Sequence, residues 1–250
     1  MDEPNPEMAA LIALHAGLKR QGPGDDAFSR EILRSLPPLP TPPRIADLGC
    51  GAGGSALLLA DWFQSPVKAV DLSRAFLDDL ATGAREHSLD HLITPIEGDM
   101  GKLGWPDASI DLLWSEGAAY HLTFAGALGA WRPLLAPGGV AVISELSWFT
   151  PTPPAPAWEF WHAGYPTMGS EAENVAHAQA AGYEVLETRR LPAQAWWDNY
   201  YGPLLERMEQ YQGISDPVMA SVMVGTSVEI DLFREHSDAY GYTFYVLRRP

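Results

Sequence analysis

The feature that most restricts the folds open to this chain is the run Arg44-Ile45-Ala46-Asp47-Leu48-Gly49-Cys50-Gly51-Ala52-Gly53-Gly54, an apolar strand that passes directly into a glycine-rich turn. Lacking a Cβ, Gly49, Gly51 and Gly53 let the backbone bend sharply and lie against a ligand, while the helix that follows points its N-terminal N–H groups outward. A nucleotide-binding turn is the expected product. Close packing of a helix on a strand would use the same glycines, and Gly49-x-Gly51-x-x-Gly54 also fits a dinucleotide fingerprint, so the turn alone leaves its ligand open.

From Arg44 onward apolar runs alternate with helical patterns, as in a parallel sheet with crossover helices. Strands are expected at 44–48, 67–70, 92–96, 110–114, 140–144, 183–191 and 242–247. Helices are expected to reach Phe63, to start behind Ser73, and to span 124–135 and 170–181. Ahead of the core, Met8 to Arg20 and Ala27 to Leu36 have helical spacing, the second with Asp25 or Asp26 as its cap, and Pro37 to Pro43 forms a stiff extended linker. The chain thus divides into a helical cap with its linker at 1–43 and a core at 44–250. Within the core, 145–170 is a proline-rich and aromatic cover segment and 195–240 a second, helical one.

A length of 250 residues suits one α/β domain with appendages. No apolar run approaches the roughly eighteen residues that a membrane helix needs, so no membrane partner is expected. The acidic start Met1 to Glu7 does not look like a secretory signal and Cys50 is the single cysteine, which together suit a cytoplasmic location. One cysteine also cannot hold an iron–sulfur cluster, and His87 and His91 share a helical face without a third ligand, so no metal is expected. A formal net charge of −16 repels phosphate backbones, and Arg189-Arg190 and Arg248-Arg249 are too small to form a basic stripe, so nucleic acid is not an expected partner.

Four features fall at the carboxyl ends of successive strands, where open parallel sheets bind ligands. These are Asp47 with the glycine turn, Asp71, Gly98-Asp99-Met100, and Trp114-Ser115-Glu116-Gly117. Asp71 follows Gly51 at the spacing of a carboxylate that accepts from both ribose hydroxyls. Asp47 would repel a pyrophosphate and attract a cationic ligand end.

In this combination the chain resembles the class I, seven-stranded S-adenosylmethionine-dependent methyltransferases over roughly residues 28–191 and the last strand. Trp114 to Ala118, with Ser144 to Phe149, is similar to a bacterial subgroup acting on small molecules. The resemblance implies an α/β, Rossmann-like doubly wound seven-stranded sheet of order 3-2-1-4-5-7-6 with strand seven antiparallel, N-terminal helices and a helical, aromatic cover. It implies S-adenosyl-L-methionine as cofactor and a small-molecule acceptor. Asp47 would lie near the methionine amino group, with Gly49, Cys50, Gly51 and Gly53 along the methionine and ribose. Asp71 would hold the ribose, Leu72, Gly98, Asp99 and Met100 would surround the adenine, and Ser115 would complete the cofactor site.

A base is needed only for an acceptor that must lose a proton, and Glu116, Tyr120, His121 and Glu145 follow strands four and five, with Glu116 and His121 preferred as catalytic residues. The aromatics Trp148, Phe149, Trp158, Phe160, Trp161, Trp196, Trp197, Tyr200 and Tyr201 form an acceptor pocket, a core for the cover, or a contact in a homodimer. His15, His162 and the N-terminal helices are candidates to close over the cofactor. A nicotinamide-dependent oxidoreductase and a non-catalytic S-adenosylmethionine-binding module stay open as alternatives.

Overall fold

The chain is seen in a computed structural model that describes residues 5–250; Met1 to Pro4, part of the acidic start, lie outside the described residues. At its centre is β1 (Ile45–Leu48), four residues that are buried on both sides and therefore apolar apart from Asp47. It pairs in parallel with β2 (Val67–Asp71) and β4 (Ile110–Ser115), with Ile45 opposite both Val67 and Leu112. β3 (Ile93–Glu97) lies outside β2, and β5 (Leu135–Trp148) lies beside β4. β7 (Tyr240–Arg248) runs antiparallel between β5 and β6 (Glu184–Arg190), giving the order β3-β2-β1-β4-β5-β7-β6 expected from the sequence.

Side chains alternate between two layers, as the pleat requires. Ile45, Leu112, Val142 and Phe244 enter a core shared with α1 (Pro6–His15), α2 (Asp26–Ser35), α3 (Gly54–Phe63) and α4 (Arg74–Glu86). Ala46, Leu113, Ile143 and Tyr245 enter the opposite core, under α5 (Phe124–Trp131) and the later helix Glu171–Ala180. Asp25, not Asp26, caps α2 by accepting the Phe28 N–H at 2.7 Å, and Ser73 caps α4 through the Phe76 N–H.

Three expected boundaries are corrected. The first helix stops at His15, because Ala16 is extended and Gly17 is left-handed with φ +78°; Leu18 to Gln21 then cross toward the glycine turn. α5 ends at Trp131 and a 3-10 turn, Arg132–Leu134, takes over where Pro133 can donate no helical hydrogen bond. β5 continues to Trp148 because its second half pairs with β7, from Glu145 opposite Thr243 to Trp148 opposite Tyr240. The stretch 145–170 thus opens as strand and then contains α6 (Ala155–Gly164), with α7 (Glu171–Ala180) behind a Ser170/Glu173 capping box. The second cover segment is helical, with α8 (Ala193–Trp196), a π-turn Trp197–Tyr201, α9 (Gly202–Gln210) and α10 (Pro217–His236).

Candidate functional site

The glycine turn is held against β2 by the N–H groups of Gly49 and Cys50, which both donate to the Val70 carbonyl at 2.8 and 2.9 Å. Gly49, Gly51 and Gly53 are left-handed, with φ of +74°, +53° and +89°, which L side chains adopt only with strain. A Cβ on Gly49 would collide with that of Ala118, and one on Gly53 with the Leu80 side chain. Packing therefore demands these two glycines independently of any ligand. Gly51 faces the Gln21 side chain, whose Oε1 accepts the Ala52 N–H at 2.7 Å.

Asp71 reaches back from β2 to this turn. Its Oδ2 accepts the Gly51 N–H at 2.9 Å and its Oδ1 the Ser73 N–H at 2.8 Å, which leaves about two of the four acceptor positions of a carboxylate for another ligand. Burial raises its pKa, opposed by those amides and by His121. Asp47 is 1% exposed and, among the described residues, its Oδ2 has no hydrogen-bond partner. Burial, reinforced by the charge of Glu116 and opposed by Arg20, pushes its carboxyl well above the usual range. A buried acid of this kind returns to its ionised form when a cation is set beside it.

Leu72 is 66% exposed, an apolar side chain left open beside Asp71. The Gly98 N–H donates to the Asp71 carbonyl at 3.0 Å, tying the third strand end to the second, and Met100 places its Sδ near Gly49. Asp99 is occupied by its own turn: Oδ1 accepts the Gly101 N–H at 2.8 Å and Oδ2 pairs with Lys102 at 3.2 Å, which holds its pKa below the usual range. Two residues expected in the cofactor site have buried side chains. Ser115 is fully buried with its Oγ donating to the Leu48 carbonyl at 2.8 Å, fastening β4 to β1. Cys50 is 7% exposed, and burial pushes its thiol well above the usual range, away from nucleophilic character.

Glu116 does not stand free as a base. Its Oε2 accepts from Arg20 at 2.7 Å, and its Oε1 accepts from Ser29 Oγ at 3.0 Å and Trp114 Nε1 at 2.8 Å. Three donors on a nearly buried carboxylate make it the anchor of the N-terminal segment, and Arg20 extends the network to Asp26 at 2.7 Å. Sequence reasoning missed Arg20, Gln21 and Ser29, because the pairing of Arg20 with Glu116 spans 96 positions and leaves no local pattern.

His121 occupies a 3-10 turn, Ala119–Leu122, with its ring 4.0 Å from that of Tyr120. Desolvation holds its pKa below the usual value despite Asp71, so the imidazole is neutral at pH 7 and able to take a proton. Tyr120 is 40% exposed, yet desolvation by the surrounding protein pushes its phenol up to about 12. His15 is instead buried, with Nδ1 donating to the Leu11 carbonyl and Nε2 facing the Tyr200 hydroxyl at 3.1 Å. His162 stacks on the exposed Trp158 of α6. The expected aromatic set divides, since Trp148, Trp196, Tyr200 and Tyr201 are core residues and Phe149 lies under Arg190.

Glu145, on β5, is 2% exposed with Oε1 unpartnered among the described residues, and burial pushes its pKa to about 8 against the lowering effect of Tyr165. The folded state then keeps a proton that the unfolded chain has released, so stability present below pH 4.5 is lost as the pH rises through 8. Glu145→Gln removes that loss. The stability gap between variant and wild type in urea denaturation is expected to shift in favour of the variant by on the order of 3 kcal/mol from pH 5 to pH 9. A gap independent of pH would mean that Glu145 titrates normally.

Residues 46–143 match the methyltransferase domain family. Trans-aconitate 2-methyltransferase of Escherichia coli is 29% identical over 223 residues, spanning 84% of this chain and 77% of that enzyme. The chain carries a methyltransferase domain on the class I sheet order. Dimethylglycine N-methyltransferase of Parasynechococcus marenigrum is 34% identical to this methyltransferase over 121 residues, 48% of the chain and 43% of that enzyme. The fold of the methyltransferase is shared with an enzyme of Geobacter sulfurreducens solved with S-adenosylhomocysteine, at a TM-score of 0.80 and 20% identity over 97% of this chain and 98% of the other.

Proposed function

We propose that this methyltransferase moves a methyl group from S-adenosylmethionine to a small-molecule acceptor at the carboxyl ends of β1, β2, β4 and β5. The observation that carries the reading is the pair of carboxylates at the glycine turn, Asp47 with an unpartnered buried oxygen and Asp71 with acceptor positions to spare. They suit a ligand with an ammonium at one end and a diol at the other, and they oppose a pyrophosphate. Asp47 would hold the amino group, Asp71 the ribose hydroxyls, and Leu72 and Met100 the adenine. When bound, the cofactor supplies a methyl group on a sulfonium, an activated leaving group, so positioning and exclusion of water carry much of the acceleration. His121 is the proposed proton acceptor where the acceptor must lose a proton. The lone buried Cys50 and the charge of −16 support a reducing, cytoplasmic setting and an acceptor other than nucleic acid.

Thermal unfolding with added ligands tests the reading. S-adenosylhomocysteine at a hundred times its dissociation constant is expected to stabilise the protein by about 2.7 kcal/mol, roughly 5 to 10 degrees in a domain of this size, and NADH is expected to leave the midpoint unchanged. A shift with NADH alone would overturn the proposal in favour of hydride transfer.

A further inference from the structure

The glycine turn is pinned from two sides. From the sheet, Asp71 Oδ2 accepts the Gly51 N–H at 2.9 Å; from the N-terminal segment, Gln21 Oε1 accepts the next amide, that of Ala52, at 2.7 Å. The two contacts fall on consecutive residues of the stretch along which the cofactor is proposed to lie. Gly53, the residue ahead of α3, has no side chain with which to cap that helix, so an acceptor for these amides has to come from elsewhere in the chain. The fit is close, because a Cβ on Gly51 would stand 2.4 Å from Gln21 Oε1.

Gln21 is itself fixed. Its Nε2 donates to the Leu18 carbonyl at 2.8 Å and reaches the His15 carbonyl, at the end of α1, at 3.4 Å, which aims Oε1 at the turn. α1 is held by the second cover segment: the Tyr211 hydroxyl donates to the Ala13 carbonyl at 3.1 Å, and the Tyr200 hydroxyl faces His15 Nε2 at 3.1 Å. Other bonds of the same segment end away from the turn. The Gly17 N–H donates to Asp79 Oδ2 on α4 at 3.0 Å, Arg20 pairs with Glu116, and Asn199 Nδ2 donates to the Gly24 carbonyl at 3.0 Å and to Asp25 Oδ2 at 3.1 Å.

Resting on the methyl-transfer reading above, we infer that Gln21 is a positioning residue for the cofactor: through the Ala52 amide it holds the glycine turn in shape, opposite the ribose carboxylate Asp71. A turn already in shape loses less conformational freedom when its ligand arrives. Without Gln21 the peptide at Ala52 is free to rotate, the neighbouring Gly51 N–H leaves Asp71 Oδ2, and the acceptor positions that Asp71 offers the ribose lose their direction. Linkage makes the effect reciprocal, so a bound cofactor strengthens the hold of residues 16–25 on the turn.

The test titrates S-adenosylhomocysteine by calorimetry into the wild type, into Gln21→Met, which keeps the length of the side chain without its amide, and into Asp79→Ala, which removes a bond from the same segment away from the turn. Gln21→Met is expected to weaken binding by about tenfold, the effect of a lost hydrogen bond, and Asp79→Ala to stay within about threefold of wild type. Trypsin cleavage after the exposed Lys19 gives a second readout, with S-adenosylhomocysteine at saturation expected to slow cleavage in the wild type and to slow it far less in Gln21→Met. Circular dichroism checks that both variants fold. Equal or tighter binding by Gln21→Met overturns the inference, as does an equal loss in Asp79→Ala, which would mean a general loosening of the segment. Cleavage that bound S-adenosylhomocysteine leaves unchanged in the wild type overturns it as well, without recourse to any variant. Failure of the wild type to bind S-adenosylhomocysteine would instead sink the methyl-transfer reading, so the two failures are read separately.

Discussion

Asp71→Ala is expected to weaken S-adenosylhomocysteine binding by at least about a hundredfold. Hydrogen bonds to a charged group contribute about 1.5 to 3 kcal/mol each, and the proposed seat uses two, so the loss is about 3 kcal/mol or more. The substitution also releases the Gly51 N–H, which Asp71 now receives at 2.9 Å, and so loosens the turn along which the ligand lies. Asp71→Asn keeps one good acceptor and is expected to fall between the two. Calorimetry gives the affinities, and circular dichroism confirms that the variants fold. An affinity within threefold of wild type for the alanine variant would remove Asp71 from the ribose seat.

The largest effect on stability is expected at Glu116. Glu116→Ala leaves Arg20, whose side chain is 10% exposed, with only Asp26 as an anionic partner, and strands Trp114 Nε1 and Ser29 Oγ. Breaking one side of a buried ion pair costs about 3 to 5 kcal/mol, equivalent to a fall of roughly 10 degrees in unfolding midpoint. Replacing both partners, Arg20→Met with Glu116→Leu, is expected to recover much of that loss, since two apolar groups leave no uncompensated charge. Urea denaturation of the two single variants and the pair gives the coupling directly. A cost below 1 kcal/mol for Glu116→Ala would mean that the network contributes little to holding the N-terminal segment down.

These residues mark the limit of what local sequence conveys. Strand order was open to sequence reading because the alternation of apolar runs and helical patterns is local and the family resemblance supplies the reversal at β7. The strand-end carboxylates were equally visible, since Asp47 and Asp71 sit at fixed offsets from glycines. For Ser115 and Cys50 a strand-end position does not say which way a side chain points, and both side chains are buried. Glu116 reads as a base in its local sequence because its partners, Arg20 and Ser29, come from the N-terminal segment, 96 and 87 positions away.

The position of β7 sets an order on how the molecule is put together. β6 touches the sheet only through β7, and the residues 191–239, three helices and a π-turn, must be made before Tyr240 exists. At about 5 to 20 residues per second that is a wait of several seconds on the ribosome. During it the five parallel strands can assemble in sequence, but β5 keeps a bare edge and β6 has nothing to join. The sheet is therefore complete only once its last strand has joined both β5 and β6.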